Sequence, residues 1–350
     1  MNGNPGVDIR SLSLADLEAF FNTIHEKSYR AKQVYEWLWK RSCRSFDEMT
    51  NLSREIRQKL TNSFIFPCAK LHQTISSRDG TIKCLFLLHD GLMVEGVLIP
   101  SDGRTTACIS SQVGCPLNCS FCATGQLGYK RNLGFTEIYD QVVLLNKISE
   151  EVFKTALSNI VYMGMGEPLL NYGNVIQSLI KITTEEGLGI SPQRITVSSV
   201  GIPEMIRKMG DDNLKIHFAL SLHAADNEKR NKIIPLNKKF PIEHLTEALI
   251  YYHKKTKKRF TIEYILFDNF NDTIQDAQEL ARFCRSFPVK INLIEYNETN
   301  NTSFRKSRAD KMIAFREFLD KKNLVVNIRK SRGEDIAAAC GQLALKEKWS

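Results

Sequence analysis

Apolar residues fall at helical spacing through the first sixty positions, and afterwards in short strand-like runs separated by amphipathic stretches. Ser13-Leu14-Ala15-Asp16 reads as a capping box, with Leu17, Phe20 and Phe21 following on one helix face. A second helix is predicted over residues 31–39, and a third by Leu52, Ile56 and Leu60. Residues 82–88 and 92–99 predict a two-stranded hairpin that turns at Asp90-Gly91.

From about residue 105 a strand–helix rhythm sets in. Strands are predicted over 105–110, 159–163, 194–198, 215–222, 259–266 and 289–295. Helices are predicted between and after them, over 136–148, 172–184, 203–209, 242–252, 273–287 and 309–321. Alternation of this kind implies parallel strands joined by crossover helices. Six units are too few for a complete eight-fold barrel. The expected fold class is α/β, an incomplete (β/α)6 TIM-like barrel with a small N-terminal helical accessory domain. The expected divisions are residues 1–80 for that domain, 81–104 for a hairpin linker, 105–335 for the barrel and 336–350 for a C-terminal segment.

Composition narrows the class. The chain has 350 residues, of which 43% are hydrophobic and 25% charged, the balance of a globular protein with a large core. A net charge of +9 and a pI near 9.0 suit a polyanionic partner, RNA or DNA first. The N-terminus lacks the apolar core of a signal peptide, and no stretch approaches the ~20 apolar residues of a membrane span. Nine cysteines without an export signal then point to a reducing cytoplasm, where thiols act as ligands or reagents.

The densest chemistry is in Cys115, Cys119 and Cys122, a C-x3-C-x2-C run on one short loop just after the first barrel strand. Three thiolates at this spacing suit a [4Fe–4S] cube that keeps one iron open for a small molecule. Gly114 and Gly125 flank the loop and would let backbone wrap a cluster closely. The alternative is zinc, with a fourth ligand from Cys108 or a histidine. Cys43, Cys68, Cys84 and Cys284 read as small buried hydrophobes.

The triad, with aromatic Phe121 ahead of its last cysteine, resembles the radical S-adenosylmethionine (SAM) superfamily. That resemblance implies that the open iron chelates SAM and that one electron cleaves its sulfonium to a 5′-deoxyadenosyl radical. Gly164-Met165-Gly166-Glu167-Pro168 resembles the family's SAM amino-group motif, with Gly166 admitting the ligand close to backbone and Glu167 pairing the amine. Further strand ends bring Ser198, Ser221, Leu222, His223 and Asn297 to the same rim as cofactor contacts.

Two more cysteines sharpen the match. Cys108 lies seven residues before the triad, and Cys340 sits in Ala337-Ala338-Ala339-Cys340-Gly341-Gln342-Leu343 near the far end. With the triad, the glycine turn and Ser221-Leu222-His223, they closely resemble the RlmN/Cfr family of radical-SAM RNA adenine methyltransferases over nearly the whole chain. The resemblance implies that Cys340 takes a methyl group from one SAM as S-methylcysteine, and that a second SAM supplies the radical that activates it. It implies a transient disulfide to Cys108 when the methylated base is released. Glu95, a mid-strand carboxylate among apolar neighbours, matches the family's proton acceptor, with Cys108 as the alternative acceptor. The implied substrate is C2 of an adenosine in 23S rRNA near the peptidyl-transferase centre, with an anticodon-adjacent adenosine in tRNA as a second. A Cfr-type enzyme acting on C8 of the same rRNA base is the alternative. A cytosolic electron donor and a thiol reductant follow as partners, with a monomer that makes no membrane contact. Candidate RNA contacts are Tyr29, Arg30 and Lys32 in the helical module, Lys130 and Arg131, the basic run 253–259, and Arg329, Lys330 and Arg332. The rival classes are a glycyl-radical activase, which needs neither Cys108 nor Cys340, and a zinc-bearing RNA-binding module.

Overall fold

The computed structural model describes residues 6–299 and 303–345. It opens with three helices, α1 (Leu14–Thr23), α2 (Tyr29–Trp39) and α3 (Arg54–Ser63). The capping box at Ser13 is present: its hydroxyl accepts from Asp16 N while Asp16 accepts from Ser13 N. Leu52 precedes the third helix, whose first turn is capped by Ser53.

Strands β1 (Lys70–Ser76), β2 (Ile82–Leu87), β3 (Met93–Ser101) and β4 (Arg104–Cys108) run as an antiparallel meander. The turn between β2 and β3 falls where Asp90-Gly91 predicts it, with Gly91 N donating to Leu88 O at 3.1 Å. A short ribbon of β5 (Gln112–Gly114) and β6 (Tyr129–Asn132) then encloses the three-cysteine loop and α4 (Ala123–Gln126). The long helix α5 (Phe135–Phe153) leads to β7 (Asn159–Tyr162), α6 (Tyr172–Thr183), β8 (Ile195–Ser199) and α7 (Pro203–Asp211). Next come β9 (His217–Ser221), α8 (Asn227–Ile233), α9 (Ile242–Thr256), β10 (Phe260–Leu266) and α10 (Ile274–Cys284). The described barrel ends with β11 (Val289–Glu295), α11 (Ala309–Asp320) and β12 (Val325–Arg329).

Ten of these strands form one open sheet in the order β1-β2-β3-β4-β7-β8-β9-β10-β11-β12. From β4 onward every pairing is parallel. The six predicted strand–helix units are all present, and β12 adds a seventh parallel strand. The hairpin proves to be part of a longer antiparallel run, because β1 pairs with the outer edge of β2 and extends the same sheet.

The helical module is joined to α5 through a buried contact. Trp39, fully buried, stacks on Phe135 at 5.8 Å and meets Tyr139 edge-on at 5.2 Å. Asp140 on the next position pairs with buried Arg10 at 2.7 Å and accepts from Ala69 N at 2.8 Å. The inner face of the same helix carries Gln141, which exchanges hydrogen bonds with the backbone of Ser110 at 2.8 and 3.1 Å. Among the described residues no helix is long and apolar enough to cross a membrane.

Candidate active site

A cavity opens at the carboxyl ends of the parallel strands. Parallel α/β folds place their sites at this rim because the loops after each strand converge there. Cys115, Cys119 and Cys122 line the cavity, and so do Cys108 and Cys340. Gly166, Glu167, Ser198, Ser221, His223 and Asn297 are in its wall, whereas Leu222 and Glu95 are not.

The cysteine loop is set by close backbone approach. Gly114 has φ +76°, and a Cβ there would fall 1.8 Å from Gly128 O, so only glycine fits. Cys115 N donates to that same carbonyl at 3.1 Å, and Cys122 N to Cys119 O at 3.1 Å. Burial pushes the Cys115 thiol up to about 12 and raises those of Cys119 and Cys122. Thiolates enclosed this way need a cationic centre among them to ionise, as an iron–sulfur cluster provides. Three cysteines on one short loop lining one cavity are the donor set of a cluster held by three thiolates. Buried Arg230 contributes a positive charge beside Cys119 while donating to the carbonyls of Leu222 and Val200.

The strand-end residues are held by backbone. Glu167 accepts from Leu169 N and Val200 N, each at 3.0 Å, and bonds Ser199 as well. Those donors counter the burial that otherwise raises its pKa. A carboxylate has lone pairs beyond these, so it can still receive a ligand amine. Gly166 has φ +101°, and a Cβ there would meet Gln112 at 2.6 Å. Ser198 and Ser221 hydroxyls lie 3.2 Å apart on neighbouring strands. His223 Nδ1 accepts from Ile265 N at 3.1 Å, which leaves the proton on Nε2. Burial and the Arg230 charge lower its pKa to about 3, so the ring is neutral.

Cys340 reaches the rim on a tail that is held at many points. Asn297, predicted as a cofactor contact, donates to Cys340 O at 3.3 Å. Ala123 N donates to Gly341 O at 2.8 Å, and Thr124 Oγ1 to Leu343 O at 2.6 Å, so the helix following the triad grips the tail. Glu95 is fully buried, paired with Lys83 at 2.7 Å, and accepts from Ala344 N at 2.8 Å. All nine cysteines are free thiols. Cys108, at the end of β4, has its thiol pushed up to about 12 by burial, with Cys340 raising it further and Arg329 opposing. Cys43, Cys84 and Cys284 are buried as expected, while Cys68 is only half-buried.

The basic candidates divide. Arg131 forms ion pairs with Asp90 and Glu137, both at 2.7 Å, and so serves the ribbon beside the cluster loop. The run 253–259 ends α9 and precedes β10, which puts it at the rim opposite the cavity. Arg329, Lys330 and Arg332 line the cavity, and Lys130 is exposed next to the loop. Sequence reasoning missed Glu263, a carboxylate in the cavity wall at the centre of β10, and Arg230. An acidic residue inside an otherwise apolar parallel strand was the available signal for the former.

Residues 7–65 match the ribosomal RNA large subunit methyltransferase N-terminal domain, and residues 109–284 match the radical SAM superfamily. A probable dual-specificity RNA methyltransferase RlmN from Cytophaga hutchinsonii is 55% identical over 97% of this chain and 93% of its own length. The chain belongs to the RlmN family. A family member from Thermotoga neapolitana is 44% identical over 98% of this chain and 99% of its own. The crystal structure of a radical SAM methyltransferase from Sphaerobacter thermophilus superposes with a TM-score of 0.91 at 37% identity, covering 96% of this chain and 99% of that one. As an RlmN-family protein the chain is a radical-SAM RNA methyltransferase whose cofactors are a [4Fe–4S] cluster and SAM. Cys115, Cys119 and Cys122 are the residues that fit the cluster.

Proposed function

We propose that this enzyme methylates C2 of an adenosine in 23S rRNA near the peptidyl-transferase centre, and of an anticodon-adjacent adenosine in tRNA. The observation that supports this reading is that Cys108 and Cys340 line the cavity that also contains the three-cysteine loop. Adenine C2 lies between two ring nitrogens and is electron-poor, so it is no nucleophile toward a sulfonium methyl group. A one-carbon unit must first be placed on a protein atom and activated there. Cys340 is the acceptor, held in place through its own carbonyl by Asn297 and through Gly341 by Ala123. When bound, the cluster and SAM supply the one-electron chemistry that removes a hydrogen from that methyl group.

The remaining work belongs to the chain. Glu167, Ser198, Ser221 and the neutral His223 orient the cofactor at the rim. Once the methylene carbon is joined to C2, the adduct must lose the C2 proton and its one unpaired electron, which the cluster would take back when bound, and the sulfur of Cys340 must part from carbon. Cys108 attacks that sulfur, forming a Cys108–Cys340 disulfide, and the departing carbon keeps the electron pair and takes a proton. A cytosolic thiol then reduces the disulfide. Glu95 is the proposed proton acceptor; its place outside the cavity wall, bound to Lys83 and Ala344, requires the tail to shift before it meets the base.

The test is anaerobic incubation with SAM, reductant and RNA, comparing the wild type with Cys340→Ala. The wild type is expected to place the methyl on C2, located by mass spectrometry and NMR of digested RNA, and the variant to transfer none. A methyl group on C8 would instead assign the Cfr-type reaction. Transfer by the variant would remove Cys340 from the mechanism.

A further inference from the structure

Glu263 and Arg329 face each other in the cavity wall with their hydrogen-bonding capacity unspent. Glu263 Oε1 accepts from Asn292 at 2.9 Å, but Oε2 is buried and has no hydrogen-bond partner among the described residues. Its side chain is only 6% exposed, so solvent does not replace that partner. The nearest cation, Arg329 Nη1, stands 3.9 Å away, too far for a direct hydrogen bond. Arg329 itself, at the end of β12, makes its side-chain hydrogen bond among the described residues to the Met163 sulfur at 3.8 Å and to no oxygen. A buried carboxylate oxygen left unsatisfied is costly, and such atoms in native proteins mark a missing partner.

Both groups line the cavity, Glu263 buried and Arg329 partly exposed. Glu263 pairs in register with Ser221 on one side and Asn292 on the other. The Arg329 guanidinium interacts electrostatically with both Cys340 and Cys108. Arg329 thus stands 3.9 Å from the Glu263 carboxylate and also interacts with both reactive sulfurs. On the Watson–Crick edge of adenine the order is an amine donor at N6, an acceptor at N1, and then C2.

We propose that Glu263 and Arg329 are the specificity pair for the target adenine, Glu263 accepting from the N6 amine and Arg329 donating to N1. This rests on the function proposed above and names the part of that site that selects the base. Guanine or inosine would turn a carbonyl oxygen toward the Glu263 carboxylate and a ring N–H toward the guanidinium, so both contacts become repulsive. Adenine in SAM shares the same edge, but the adjacency of Arg329 to Cys340 and Cys108 assigns the pair to the base that these sulfurs must reach.

The experiment is a cycle between protein and substrate, using the reconstituted full chain. RNA carrying purine riboside at the target position lacks the N6 amine, and the Glu263→Gln variant lacks the charged acceptor. Each change alone is expected to lower kcat/KM for methylation by about 10- to 100-fold, and the two together no further than the larger one. RNA with 1-deazaadenosine is expected to be poor for the wild type and not additionally impaired by Arg329→Met. Losses that multiply would overturn the contacts. A SAM dissociation constant raised in Glu263→Gln by the same factor as its loss of methylation would assign the carboxylate to the cofactor and equally overturn the proposal. The substrate analogues act on the wild-type protein, so a variant that folds poorly leaves the test intact. Wild-type enzyme that methylates no adenosine at all would defeat the proposed function, a result distinct from either of these.

Discussion

Glu95 receives the backbone N–H of Ala344 at 2.8 Å, so a strand of the antiparallel meander holds the segment that follows Cys340. The carboxylate is fully buried and paired with Lys83 at 2.7 Å, and Lys83 also donates to Ala337 O at 3.3 Å on the other side of the cysteine. One ion pair therefore fixes both flanks of the reactive loop. Glu95→Ala leaves a buried ammonium without its carboxylate and is expected to destabilise the fold by about 3 kcal/mol or more. Urea unfolding measures that loss, and limited proteolysis should show cleavage in the tail before the barrel opens. A Lys83→Met/Glu95→Leu double variant is expected to recover most of the stability while leaving the tail loose.

Gly114 gives a second prediction. At φ +76°, with Gly128 O occupying the space a Cβ would need, Gly114→Ala must move the ribbon that frames the triad. Iron and sulfide content after anaerobic reconstitution is expected to fall by at least half. The near-ultraviolet spectrum of the barrel aromatics should change little.

The Cys108 thiol is held up at about 12, so at neutral pH only a small fraction is thiolate. If the thiolate performs release, the rate of that step should rise by roughly tenfold per pH unit across the range below the thiol's own value. Single-turnover measurement from pH 7 to 9 checks this. Cys108→Ala should block release and leave RNA covalently attached to the protein, visible as a slow band on a denaturing gel.

His223 predicts the pH dependence of stability. Its folded pKa is about 3, below the ordinary value of 6.5, because burial and Arg230 disfavour the charged ring. The unfolded chain therefore binds a proton that the folded chain refuses between those two values. Stability from this group is complete above pH 6.5 and declines as pH falls toward 3. Denaturant unfolding at pH 5 and 7.5 should show the decline, and His223→Gln should flatten it.

Much of this architecture could be read beforehand, for identifiable reasons. The β2–β3 turn followed from Asp90-Gly91, and the six strand–helix units followed from apolar runs that end at polar rims. β1 escaped notice because most of its side chains are exposed at the sheet edge, which erases the alternation that marks a strand. β12 was missed because Val325-Val326-Asn327-Ile328-Arg329 is only five residues long and half exposed. That five cysteines would share one cavity was legible from spacing and resemblance, since thiols are rare and their neighbours small. Glu263 was marked only as the one acid in Phe260-Thr261-Ile262-Glu263-Tyr264-Ile265-Leu266, and only the fold shows which face of that strand meets the cavity. Asn297 lines the cavity, but the partner the structure gives it was not foreseen: the sequence contains no sign that the tail carbonyl of Cys340 lies within its reach.

Helix α5 makes mechanical neighbours of two distant regions. Its outer side is fastened to the helical module by Trp39, Tyr139 and the Arg10–Asp140 pair. Its other contacts, Gln141 with Ser110 and Glu137 with Arg131, brace the backbone on either side of the triad. The ties to the module and those to the triad's flanks thus share the first two turns of one helix, so displacing that end disturbs both.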